Sequence, residues 1–263
     1  MFVINIFHHR LGWAKRISAE IIGLASVFIL ATSTVKAASM EEALAAEKRD
    51  DYVVAIPIYE SFAAAGNIQA MRRLAYLSEI GVGGERDWLA SANWLFKAYE
   101  AGDKGAVSTI GFLAFYCPEM PRGCGQTKQA ALTKMVEFLA SKGVAAAQWN
   151  LARILYNVTI DGLPHDESTN IKAAANLYLK AAAQGFPDAQ FAVAVLYEKG
   201  VGFLQNYVEA DKWYNLASAN TPDKYRDIIL ELAKRRDALQ KQMTPEQVQE
   251  AQELAKNWRN KMR

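Results

Sequence analysis

Two cysteines, Cys117 and Cys124, are the residues of this 263-residue chain whose spacing most directly suggests chemistry. Pro118, Pro121 and Gly123 lie between them, as is typical of a turn. In an oxidising compartment such a close pair most simply forms a disulfide. Free or metal-bound thiols are the alternatives, but zinc needs more ligands, and a thioredoxin-like Cys-x-x-Cys pair is more closely spaced. We therefore predict a Cys117–Cys124 disulfide and no metal site.

Two other segments resemble catalytic or phosphate-binding motifs. His165-Asp166-Glu167 could suggest acid/base or metal chemistry, but one histidine after Pro164, followed by two acids, is more typical of a surface turn before a helix. The glycines from Gly81 to Gly84 lack the lysine and Ser/Thr of a phosphate loop, which favours an inter-helix turn. We predict no catalytic residue and no cofactor.

A repeated pattern of glycine and alanine organises the middle of the chain. The anchor glycines recur at intervals of 36, 41 and 42 residues, and each is followed four residues later by an alanine, then by an apolar and a small residue. Such a period is typical of stacked helical hairpins. The anchors are Gly66, Gly102, Gly143 and Gly185, and their alanines are Ala70, Ala106, Ala147 and Ala189.

Large residues recur on the second helix of each predicted hairpin. The slot eight residues before an anchor, or its equivalent in the last unit, holds Trp94, Met135, Leu177 and Trp213. Small residues on one helix let a neighbour approach closely, so large side chains should face small ones. Packing is accordingly the expected role of Trp94 and Trp213, as well as of Tyr59, Tyr178 and Tyr214.

The unit from Ala189 to Ala217 carries the clearest family resemblance. It has Tyr197, Gly200, Gly202, Ala210, Trp213 and Tyr214 in the order of a Sel1-like repeat, with Asn206 in the usual aspartate slot. The Ala70–Gly102 unit fits next best, and the units from Ala106 and Ala147 depart further. The chain thus resembles the Sel1-like repeat family, a relative of the tetratricopeptide repeats. The resemblance implies an all-α fold, an α/α right-handed solenoid of such hairpins with C-terminal capping helices.

The N-terminus has the pattern of a secretory signal peptide. Arg10, Lys15 and Arg16 precede an apolar run, and Val35 and Ala37 are suitable small residues for a cut after Ala37. An uncleaved anchor is the alternative, although the run is short for a membrane span. We predict a signal peptide at 1–37, a solenoid at 38–220 with about four repeats plus a partial N-terminal one, and capping helices at 221–263.

The predicted cap consists of two helices that begin after Thr-Pro pairs. Thr221-Pro222 and Thr244-Pro245 suit a helix N-cap and first turn, and Gln247 completes a capping box. We expect helices at about 222–241 and 245–260. Their predicted buried stripe contains Leu230, Ala233, Val248, Leu254 and Trp258.

Charge argues against a nucleic-acid partner. Without residues 1–37 the chain has 26 lysines and arginines against 27 aspartates and glutamates. A nucleic-acid-binding protein normally shows a basic stripe, which this near-neutral balance does not suggest. We predict no nucleic acid and no membrane span after signal cleavage.

The first helices of a hairpin array line its concave surface, where partners bind. Arg73, Trp149, Asn150 and Arg153 are therefore the candidate groove residues, with ordinary surface and packing roles as the alternative. The signal-peptide pattern predicts a periplasmic location, and the resemblance implies a scaffold or adaptor role, so we expect a protein or peptide partner in the bacterial cell envelope. An inhibitory regulator of a membrane sensor or envelope assembly is the alternative function, followed by a cell-wall hydrolase.

Overall fold

A computed structural model of the chain describes residues 38–82, 84–117, 125–160 and 167–262. Within these ranges the chain forms twelve α-helices and no strand, which confirms the all-α prediction. The helices are α1 Met40–Glu47, α2 Tyr52–Ala64, α3 Ile68–Ile80, α4 Trp88–Glu100, α5 Ala106–Tyr116, α6 Gly125–Ser141, α7 Ala145–Ile160, α8 Glu167–Ala182, α9 Pro187–Lys199, α10 Tyr207–Asn220, α11 Arg226–Gln240 and α12 Pro245–Met262.

The helices pair as successive hairpins that stack into a solenoid. Helices α3 and α4, α5 and α6, α7 and α8, and α9 and α10 pack as pairs, and α1 and α2 form a shorter N-terminal pair. Each second helix also contacts the next first helix, and α5 packs directly on α7. The first helices therefore form one layer and the second helices another.

The anchor glycines end the second helices in a conformation that other residues rarely adopt. Their φ angles are 86° at Gly66, 107° at Gly102, 81° at Gly143 and 85° at Gly185. Positive φ carries no steric cost for glycine because it has no Cβ. This explains why glycine recurs at the predicted period.

The core contains the small and the large residues that the repeat pattern predicted to pack against each other. All four anchor alanines are buried, as are Tyr59, Tyr178, Trp213 and Tyr214, which confirms their predicted packing roles. Trp94 is partly buried. The buried residues form two clusters that meet on α7, where Ala147 belongs to one and Ala152 to the other.

A buried glutamine links successive hairpins at two equivalent positions. Gln148 and Gln190 each follow an anchor alanine, and their Nε2 atoms donate to the backbone carbonyls of Ala140 and Ala182 at the end of the preceding helix. Their Oε1 atoms accept bonds from Gln184 and Asn220, at 2.8 and 2.9 Å. Each glutamine thus satisfies its buried amide while tying two hairpins together.

The C-terminal helices differ from the prediction in one respect. The capping box is confirmed, because Gln247 Oε1 accepts from the Thr244 amide at 2.9 Å and Thr244 Oγ1 accepts from the Gln247 amide at 3.3 Å. The expectation that Leu230 is buried is wrong, since it is 52 % exposed. Leu232 and Leu239 are buried instead. Leu232 and Leu239 lie seven residues apart on the face of α11 towards α10. Leu230 lies about 200° around the helix from Leu232, so it faces away from α10.

Several sequence-based predictions fall on residues outside the described ranges. These are the signal segment at 1–37, Cys124, His165 and Asp166. Cys117 is described and is buried at the end of α5, so the Cys117–Cys124 disulfide stays a prediction. Within the described part of the chain, no helix is both long and apolar enough to cross a membrane.

Candidate functional site

The first helices share a face that is less buried than the side that forms the core, although some of its apolar residues still pack against the core. Residues two, six and nine positions after an anchor alanine project between about 180° and 240° around the helix, opposite the buried positions at zero and four. We call these residues of α3, α5, α7 and α9 the first-helix face, and none of them is buried. They are Arg72, Tyr76, Glu79, Ser108, Phe112, Phe115, Trp149, Arg153, Tyr156, Phe191, Val195 and Glu198.

An aromatic cluster around Arg153 occupies the centre of this face. The Arg153 guanidinium carbon lies 3.7 Å from the ring centroid of Phe115 and 4.6 Å from that of Trp149. These distances are within the range of cation–π contacts. Tyr116 joins the cluster through a 3.5 Å contact between its hydroxyl and Arg153 Nη2. The direct packing of α5 on α7 therefore assembles a single surface from two hairpins.

Two more aromatic rings extend this cluster. Phe112 is 44 % exposed, and its ring centroid lies 4.5 Å from that of Tyr116. Phe186, in the turn before α9, lies 5.6 Å from the Trp149 ring. We call the set formed by Phe112, Phe115, Tyr116, Trp149, Arg153 and Phe186 the aromatic–arginine cluster.

The positive charge of Arg153 extends to neighbouring groups. Burial raises the pKa of the Tyr178 hydroxyl, and the charge of Arg153 opposes that rise. Surrounding protein also raises the pKa of the Asp188 carboxyl, again opposed by Arg153, although the Asp188 side chain is open to solvent. Arg153 is therefore close enough to Tyr178 and Asp188 for its charge to influence both groups.

The structure brings together two of the four predicted groove residues. Trp149 and Arg153 are in contact in the aromatic–arginine cluster. Asn150 is 2 % exposed, so the expectation that its side chain lines an open groove is wrong. It lies three positions after the anchor, which turns it towards Gly111 on the neighbouring first helix. Whether any of the four binds a partner stays a prediction.

Arg73, the fourth predicted groove residue, has an intramolecular partner. Its Nη1 lies 3.3 Å from Glu47 Oε1, and Glu47 also accepts a hydrogen bond from the Tyr59 hydroxyl. A similar glutamate–tyrosine pair joins Glu198 to Tyr214 at the other end of the array. Arg73 therefore ties α3 to the N-terminal hairpin.

Sequence reasoning missed Phe112 and Tyr76, which are 44 % and 50 % exposed. Both stand six residues after an anchor alanine, in the slot that holds Arg153 on α7. The signal was available, because exposed aromatic residues in the same slot of successive repeats are not needed for the core.

The chemistry available on this face is that of recognition. Exposed aromatic rings and a guanidinium suit peptide side chains through apolar and charge-assisted contacts. In the described part of the chain, no group of three or more His, Cys, Asp or Glu residues is arranged to hold a metal ion.

Stacked helical hairpins with an exposed first-helix face define a solenoid of the tetratricopeptide-like class. The Sel1 repeat model matches residues 68–103, 145–186 and 187–221. The chain therefore contains Sel1 repeats, and proteins built from Sel1 repeats are generally scaffolds for protein–protein interactions that typically lack catalysis. Hairpin α5–α6 lies between the matched segments, in the part of the chain where the repeat pattern is weakest.

Similar proteins come from bacteria and yeast. The chain is 28 % identical over 149 residues to the chitin synthase regulator SKT5 of Saccharomyces cerevisiae, a match that covers 56 % of this chain and 21 % of that protein. A protective antigen of uropathogenic Escherichia coli with an SLR fold is 24 % identical, with a TM-score of 0.42, over 85 % of this chain and 53 % of the other.

A Sel1 repeat protein from Oxalobacter formigenes is 23 % identical, with a TM-score of 0.46, over 68 % of this chain and 51 % of its own. The chain thus spans about half of each of these two solved structures and about a fifth of the curated yeast relative.

Proposed function

We propose that this protein is an exported, periplasmic scaffold of a bacterial cell envelope that holds a peptide segment or a partner protein on its first-helix face, without catalysis. Sel1 repeats support a protein partner. The signal-peptide pattern at 1–37 and the close cysteine pair support export to an oxidising compartment.

The observation that carries the proposal is the aromatic–arginine cluster. Phe112 leaves 44 % of its surface in water although it lies beside Tyr116 in a tightly packed helical layer. Aromatic residues, including phenylalanine, and arginine are enriched in protein interfaces relative to the rest of the surface. A continuous cluster drawn from two hairpins is therefore a suitable anchor site for a partner.

Photo-crosslinking in the native envelope tests the proposal. A photoreactive phenylalanine analogue replaces Phe112 on α5 in one variant and Phe138 on the second helix α6 in the other. Phe138 is a matched control because it is 48 % exposed and also contacts another ring, that of Phe96. We expect a discrete partner adduct from position 112 and none from position 138.

An adduct from position 138 with none from position 112 would overturn the assignment of the binding face. Recovery of the Phe112 adduct from the cytosol instead of the envelope would leave the face in place but reject the periplasmic location.

A regulatory role is the second candidate, because one similar protein is a regulator of chitin synthase. In this version the scaffold binds the exported part of a membrane sensor and inhibits it. Identification of the Phe112 adduct by mass spectrometry separates the two, since a membrane sensor would support the regulator and a soluble assembly factor the adaptor. A peptidoglycan hydrolysis assay on the purified protein tests for catalysis, and we expect no activity.

A further inference from the structure

Among the described residues, the guanidinium of Arg153 forms no ion pair, whereas three other arginines do. Arg72 pairs with Asp103, Arg73 with Glu47, and Arg235 with Glu231. Among the described residues, no carboxylate lies within salt-bridge distance of Arg153. Within the part of the chain that the structure describes, the positive charge of Arg153 is therefore left without an ion pair at the centre of the first-helix face.

The contacts of Arg153 leave its hydrogen-bond donors available. Phe115 and Trp149 contact the guanidinium with their rings and accept no hydrogen bond in its plane. The Tyr116 hydroxyl takes one donor at the long distance of 3.5 Å. Because the guanidinium N–H groups form a planar fork that matches a carboxylate, an incoming acid could bind through two parallel bonds.

The residues around Arg153 further restrict the charge and polarity of a ligand that could bind there. Phe112 and Phe186 provide apolar surface on either side of the cluster, through Tyr116 and Trp149 respectively. Asp188 is exposed in the first turn of α9, two residues after Phe186 of the cluster, and its carboxylate would repel a long acidic run. The cluster is thus suited to a single negative charge with apolar neighbours.

We infer that the aromatic–arginine cluster recognises a peptide segment in which one aspartate or glutamate is flanked by apolar, preferably aromatic, side chains. The acid binds the Arg153 fork, and its neighbours pack on Phe112 and Trp149. This inference rests on the proposed function and names the chemistry of its partner.

Fluorescence anisotropy with two labelled peptides tests the inference on the purified protein. One short peptide carries a single aspartate between phenylalanines, and the other has asparagine in its place. We expect the aspartate peptide to bind about tenfold more tightly, because a charge-assisted bidentate contact replaces a neutral one. Arg153→Gln should abolish this difference, and Arg153→Lys should retain part of it.

Lys97→Gln is the matched control, because Lys97 lies 4.0 Å from the Trp94 ring centroid on the second helix α4. This substitution removes a cation that contacts an aromatic ring in the second-helix layer. The protein should still bind the aspartate peptide more tightly than the asparagine peptide. Equal binding of the two peptides, binding of neither, or an unchanged preference in Arg153→Gln would overturn the inference. If the Phe112 adduct still forms in that case, the scaffold function stands and the acid specificity alone is rejected.

Discussion

At the residue scale, Gly111 shows how closely the first helices approach one another. A Cβ atom at this position would lie 2.1 Å from Asn150 Cγ and 2.6 Å from Asn150 Cβ. These distances leave no room for a methyl group, so Gly111 and Asn150 set the spacing between α5 and α7.

Gly111→Ala should therefore destabilise the protein by about 1–3 kcal/mol, the usual cost of overpacking, despite the better helix propensity of alanine. Denaturant unfolding measures the effect. Gly84→Ala is the control, because no described atom lies within 4 Å of the added Cβ. An equally stable Gly111→Ala protein would show that the two helices can separate without cost.

Asp211 is a buried carboxylate that joins α10 to the cap. Gln240 Nε2 donates to its Oδ1 at 2.8 Å, and Asn215 Nδ2 donates to its Oδ2 at 3.0 Å. Burial raises the pKa of Asp211, and the hydrogen bonds and the charge of Arg236 only partly oppose this. The folded protein therefore holds the Asp211 proton more tightly than the unfolded chain does.

The sign of the pH dependence follows from this raised pKa. The contribution of Asp211 to stability is fully present below the ordinary carboxyl pKa and is lost as the pH rises through the folded-state pKa. Relative to Asp211→Asn, the parent should therefore lose stability as the pH rises from the ordinary carboxyl pKa towards neutral. Denaturant unfolding of both proteins across this range measures the difference, and a constant difference would contradict the raised pKa.

At the element scale, the docking of α12 on α10 depends on paired tryptophans. Trp213 is 3 % exposed, and its ring centroid lies 6.3 Å from that of Trp258 in an edge-to-face arrangement. Its Nε1 donates to Glu209 Oε2 at 3.1 Å. Trp213 is thus packed on its apolar surface and satisfied at its polar atom.

Trp213→Ala should lower the free energy of unfolding by about 3–5 kcal/mol, the usual cost of truncating a buried large aromatic residue. Trp94→Ala, at the corresponding slot of another repeat, should cost less because Trp94 is only partly buried. Thermal and denaturant unfolding of both variants compare them. Equal losses would show that burial at this slot does not decide its contribution.

The elements predicted correctly from sequence are those controlled by local interactions. The glycine turns and the Thr244–Gln247 capping box depend on residues close in sequence, so their patterns are readable directly. The position of Asn150 depends on Gly111 of another hairpin, and the exposure of Leu230 depends on how α11 packs on α10. Such contacts between distant segments leave no local signal.

At the scale of the whole molecule, the proposed export would determine where the scaffold acts. The signal-peptide pattern predicts that the mature protein begins near Ala38, and N-terminal sequencing of the exported protein checks this. A soluble cytosolic form that retains residues 1–37 would contradict export.

The predicted disulfide has its own test. Thiol labelling of unfolded, unreduced protein should detect neither Cys117 nor Cys124. Two labelled thiols in envelope-derived protein would contradict the disulfide.

The central claim is that binding occurs on the first-helix face, and matched serine variants test it most directly. Phe112→Ser and Phe138→Ser remove aromatic residues of similar exposure from the first-helix and second-helix layers respectively. The measurement is the dissociation constant for the crosslinked partner, with melting temperature as the check on folding.

We predict at least about a tenfold weaker affinity for Phe112→Ser, as expected for an aromatic anchor, and little change for Phe138→Ser. Unchanged affinity in a folded Phe112→Ser protein, together with loss of affinity in Phe138→Ser, would contradict the claim and place the partner on the second helices.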